Sequence, residues 1–169
     1  IKNFYYFYKF SKSILFFVIL FCLLNFQKSL SFLSFFEIAT PNIISITIYL
    51  LIIRFSISPS NMILFLLGLV HDIMSGDNLG ITSIFLLLIK FVSESLFLDR
   101  VVKKSDEWIS FTIIFLLCFV TVLLLNIAIN FSIPQFGPIF FHIGITLILF
   151  PIINISIIFL SFVTKLIKS

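Results

Sequence analysis

From residue 13 to residue 163 the chain is a series of long apolar runs, and short polar or proline-bearing stretches separate them. A helix needs about 20 apolar residues, within a range of about 17–25, to cross a hydrocarbon core about 30 Å thick. Six runs have or approach that length, at roughly 13–33, 42–57, 60–75, 79–98, 108–130 and 138–163. With 61% hydrophobic and 11% charged residues, the chain is far from the roughly 45–50% apolar and 25% charged of a soluble domain. A soluble fold of this size could not hide so much apolar surface, because about a third of what the unfolded chain exposes stays exposed. The expectation is an all-α membrane protein of six transmembrane helices in a single integral membrane domain spanning residues 1–169.

The punctuation agrees with this division. Pro41 and Pro59 sit where helices begin, a place that tolerates a missing N–H. Ser105 and Asp106 precede Trp108 as N-cap residues, and Trp108 suits an interfacial aromatic position. The segment FSIPQFGP (131–138) reads as a turn. The first run has basic flanks like a signal peptide, but no small-x-small cleavage site follows it, so it reads as an uncleaved anchor.

The basic residues set orientation. With the N-terminus inside, Lys2, Lys9, Lys12, Arg54, Arg100, Lys103, Lys104, Lys165 and Lys168 are cytoplasmic, and Lys28 alone lies outside. That asymmetry predicts both termini on the cytoplasmic side. The net charge of +4 therefore fits a membrane surface better than nucleic acid. No zinc-ligand spacing is present, and no cofactor is implied. Cys22 and Cys118 sit inside apolar runs and read as small buried hydrophobes.

The most informative stretch is GLVHDIMSGDNLG (68–80), between MILFLL and ITSIFLLLI. A residue about 12 positions into a helix lies about 18 Å deep, and a carboxylate there costs at least about 2.5–3.5 kcal/mol unless it meets water or a partner. Asp72 should therefore point into the bundle. Two readings are open: Asp72 pairs with Lys90 on the next helix, with Glu94 one turn further along, or Lys90 snorkels while Asp72 caps the coming turn or is protonated. Gly68 reads as a close helix–helix approach, Gly76 as the left-handed end of a helix, Asp77 or Asn78 as the cap of the next, and Gly80 as a position where a side chain would obstruct packing. His71 is adjacent to Asp72 and so points about 100° away from it on a helix. The stretch reads as a tight helical hairpin. Asn126, Asn130 and Asn154 read as hydrogen-bonding groups between helices.

The run FLLGLVHDIMSGDNLGITSIFLLLIKF (65–91) resembles the signature of the MreD family of bacterial rod-shape-determining membrane proteins, at Gly68, Leu69, Asp72, Ser75, Gly76, Leu79 and Gly80. The resemblance extends more weakly over the whole chain through Pro41, Trp108, Pro151 and the basic tail. His71, Arg54 and Lys90 depart from it. The resemblance implies a non-enzymatic component of the bacterial inner membrane. It would sit with an MreC-like protein, MreB, RodA and a transpeptidase penicillin-binding protein, helping to organise side-wall peptidoglycan synthesis. It also implies a fold resembling the substrate-binding subunits of energy-coupling-factor vitamin transporters, and such a subunit is the alternative function. The first run is bulky throughout and lacks the small residues spaced four apart where the partner of such a subunit docks.

Overall fold

The computed structural model describes residues 17–33, 36, 39–55, 57–76, 78–98, 107–131 and 135–168, with side chains described to residue 95 in the fourth helix and to residue 156 in the last. Six helices follow one another, and no strand occurs among the described residues: α1 (Phe17–Phe32, its last turn a 3-10 helix), α2 (Ile43–Phe55), α3 (Asn61–Ser75), α4 (Ile81–Leu98), α5 (Glu107–Asn130) and α6 (Phe136–Lys168). These follow the expected runs closely. Ser105, Asp106 and the basic 100–104 segment lie outside the described residues.

α4 is the hub, packing on α3, α2 and α5, while α2 also meets α6 and α5. α2 is apolar on all sides because it is enclosed on all sides. Ile43, Ile44, Ile46, Ile48, Tyr49, Leu50 and Ile52 are all buried, as expected when a helix has no polar face. α1 joins through buried Leu20 and Leu24 and through Gln27, whose Oε1 accepts the Ile44 N–H. Cys118 is buried, but Cys22 is exposed, because it lies on the outward face of α1.

Aromatic rings fill the centre. Phe150 of α6 stacks on Phe111 of α5 at 4.6 Å, and Tyr49 meets both edge-on. Phe85 of α4 meets Phe115 edge-on at 5.9 Å. Such pairs contribute about 0.5–1.5 kcal/mol beyond their buried area.

α5 and the Phe136–Ser156 part of α6 are long and apolar enough to cross a membrane by length and composition. Unlike α2, they are apolar without being enclosed: Phe140 is 70% exposed, Ile148 67% and Leu124 59%. α1, α2 and α3 are apolar but shorter.

Pro151 lies inside α6. Having no N–H, it leaves the carbonyl four residues earlier, that of Leu147, without its helical donor. The indole Nε1–H of Trp108 donates to that same carbonyl at 3.2 Å. The tryptophan that opens α5 thus replaces the bond that the proline removes, and the helix passes through Pro151 intact.

Candidate functional site

α3 and α4 form an antiparallel hairpin, and its closest approach is at Gly68. A Cβ at that position would overlap the Ser83 backbone and side chain. Ser83 is buried there and donates its hydroxyl to the Phe65 carbonyl at 2.8 Å. The small residue on one helix therefore permits both contact and a hydrogen bond from the other.

Asp72 is fully buried and joins the two helices through both its backbone and its side chain. Its carbonyl accepts the Gly76 N–H, closing α3, with Gly76 left-handed at φ 72°. Its carboxyl Oδ2 accepts the Gly80 N–H at 2.7 Å and Oδ1 the Thr82 N–H at 3.3 Å, opening α4. These are donors that a helix start leaves unsatisfied, and the positive end of the helix dipole favours a carboxylate there. The cap of α4 thus comes from the preceding helix. Asn78 does not supply it, and Asp77 lies outside the described residues. Gly80 is required by its φ of 94° and not by crowding, since a Cβ there would meet nothing within 4 Å. His71 turns its Nδ1 to the Thr82 hydroxyl at 3.3 Å and lies 3.9 Å from Asp72 Oδ1.

The Asp72–Lys90 pair is not formed. Lys90 Nζ donates to Asn61 Oδ1 and lies 3.7 Å from Glu94, which also accepts from the Ser58 hydroxyl. Helix lengths explain this. α3 has 15 residues, only about 22 Å, so Asp72 is three residues from its end, while Lys90 is nine residues into α4. An equal depth for the two would require a longer α3.

The bundle therefore has two polar ends. At the Lys90 end, Arg54 of α2 and Glu107 of α5 form an ion pair that the sequence reading missed. Arg54 Nη2 and Nε both donate to Glu107 Oε2, at 2.7 and 3.0 Å, with the Glu107 side chain only 6% exposed. The Tyr49 hydroxyl donates to the Glu107 carbonyl at 3.1 Å. A lone acid in the first turn of an otherwise apolar helix was the available signal. At the Asp72 end, Asn78 Nδ2 donates to Asn126 Oδ1 and Asn130 Oδ1, at 3.2 and 2.9 Å. The turn is thereby tied to the last two turns of α5. Asn154, expected to join helices, has its Oδ1 buried without a partner. His142 lies beside the Phe119 ring at 5.8 Å. Among the described residues no three His, Cys, Asp or Glu side chains converge to hold a metal ion.

The fold and these contacts define an all-helical bundle with two polar ends and two long, outward-facing apolar helices. Comparisons with protein families, with curated proteins and with solved structures found no match.

Proposed function

We propose that the chain is a multi-pass protein of the bacterial inner membrane, with six crossings and both termini in the cytoplasm. In this reading it is a non-enzymatic scaffold of the cell-elongation complex, of the MreD kind. The membrane placement is supported by α5 and α6, whose large apolar side chains face outward where only an apolar solvent would favour them. The Arg54–Lys90 end is then cytoplasmic and the Asp72–Asn126 end external. Of the two short crossings, α2 is enclosed by its neighbours, while α3 buries Leu64, Leu67, Gly68 and Asp72 and turns Met62, Phe65 and Ile73 outward.

One observation carries the functional reading. In the hairpin that resembles the MreD signature, Gly68, Asp72, Gly76 and Gly80 each perform a distinct backbone task, and together they fix one rigid bend. A rigid bend at a membrane surface suits a partner that reads shape, such as an MreC-like protein gripping the helices and their short turns. Catalysis would need a nucleophile or metal with a base in reach, and the Asp72 carboxyl is instead spent on the backbone N–H groups of Gly80 and Thr82.

Depletion of the protein in its host should round the cells, and an MreC-like protein should co-purify with it. Rod-shaped cells after full depletion would defeat the proposal. The alternative, a vitamin-binding transporter subunit, has one observation in its favour: a cleft of about 440 Å³ at the Asp72 end. It requires the purified protein to retain a vitamin.

A further inference from the structure

The cleft lies between the α3–α4 turn with the start of α4 on one side and the C-terminal half of α5 on the other. Its polar lining residues are Asn78 and Thr82 from the turn side and Asn126 and Asn130 from the end of α5. Further back along α5 the lining is apolar, with Phe119, Val122 and Leu123. Its size is within the range of about 300–1,000 Å³ typical of small-molecule sites.

The amides are only partly used by one another. Asn126 Oδ1 accepts from both Asn78 and Asn130, at 3.2 and 2.6 Å, and Asn130 Oδ1 accepts from Asn78. Asn126 Nδ2 and Asn78 Oδ1 bond to none of the described residues, so the lining amides keep one donor and one acceptor between them. That pairing matches hydroxyl or carboxamide groups, which both donate and accept. It does not match a phosphate, which calls for Arg, Lys or converging N–H groups. None of the described lining residues is charged, and Lys28, the described basic side chain at this end, donates to the Met74 carbonyl instead. Phe119, Val122 and Leu123 give the cleft an apolar surface beside these amides, which suits a ligand with both hydroxyl and C–H faces.

The source of such a group follows from what adjoins the cleft. On α5 the exposed Val120 and Leu124 stand next to Leu123 of the lining, so an apolar helix surface adjoins the cleft. We propose that the cleft binds the uncharged, hydroxyl-rich headgroup of a lipid whose acyl chains lie along the outer face of α5. This rests on the membrane placement of α5 but not on the scaffold role.

The test uses the purified full chain in a polyoxyethylene detergent, which carries no sugar. Binding of monogalactosyl diacylglycerol, of dioleoyl phosphatidylglycerol and of free methyl β-galactoside is read by native mass spectrometry. The galactolipid should bind at least about tenfold more tightly than the anionic lipid. Asn126→Leu removes the donor, and Val122→Trp fills the cleft from its apolar part while leaving every amide in the sequence. Each should weaken galactolipid binding by about tenfold and leave phosphatidylglycerol retention unchanged. If Asn126→Leu does not fold, Val122→Trp alone decides. Binding of the free galactoside as tightly as the galactolipid would overturn the lipid as the source and assign a soluble one. Equal retention of the two lipids, no binding of any probe, or full binding by Val122→Trp would overturn the proposal. Because cell shape is not the readout, its failure is separable from failure of the scaffold reading.

Discussion

Replacing Asp72 tests the hairpin at its centre. Two N–H groups, those of Gly80 and Thr82, depend on its carboxyl oxygens. Asp72→Ala leaves both without an acceptor in a part-buried place, where an unsatisfied donor costs at most what a fully buried one does, about 1–3 kcal/mol. Solvent entering beside the half-exposed Gly80 relieves part of this, so roughly 3 kcal/mol in total is expected. Asp72→Asn keeps one acceptor oxygen but turns an NH2 towards the second N–H, for a cost of about 1–2 kcal/mol. The order is therefore Asp above Asn above Ala. Unfolding in mixed micelles with increasing dodecyl sulfate, followed by helical circular dichroism, measures the order. Hydrogen exchange at the Gly80 and Thr82 amides locates it, because those two should lose protection first in the alanine variant. Wild-type stability in Asp72→Ala, or unchanged protection of both amides, would refute the capping role.

Three further outcomes follow from neighbouring contacts. Gly68→Ala should cost about 1–3 kcal/mol by forcing α3 from α4 at Ser83, measured in the same unfolding assay. Trp108→Phe should cost about 1 kcal/mol in the native chain and less in a Pro151→Ala background, where residue 151 regains an N–H for Leu147; a double-mutant cycle reads the difference. Glu107→Leu should cost about 2–4 kcal/mol by leaving Arg54 unpaired, and Arg54→Leu with Glu107→Leu together should cost less than Glu107→Leu alone, as the same unfolding assay would register.

The helices were legible in the sequence because each apolar run is long and bounded by proline, glycine or charge. Gly68 and Gly76 were legible too, since a glycine between bulky apolar residues or at a helix end has few other uses. The partner of Asp72 was not. Depth counted from one helix end assumes a length, and α3 is shorter than a full crossing, which moves Asp72 to the bend and leaves Lys90 near Asn61. Crowding is the wrong reason for Gly80, because sequence does not distinguish a tight contact from a positive φ and the structure shows the second. The Arg54–Glu107 pair joins helices 53 positions apart, a separation at which neighbours depend on how α2 and α5 pack. The link between Trp108 and Pro151 was hidden for the same reason, although both residues stood out individually.

The central claim is that α3 and α4 cross a bilayer and bend at its outer face. With Cys22 and Cys118 replaced by alanine, Ser60→Cys and Leu79→Cys place single thiols at exposed positions on opposite ends of α3. A membrane-impermeant maleimide applied to spheroplasts measures their sides. Labelling of residue 79 in intact spheroplasts, with residue 60 labelled only after permeabilisation, is the predicted result. Labelling of both from the same side, or recovery of the protein in the soluble fraction, would contradict it.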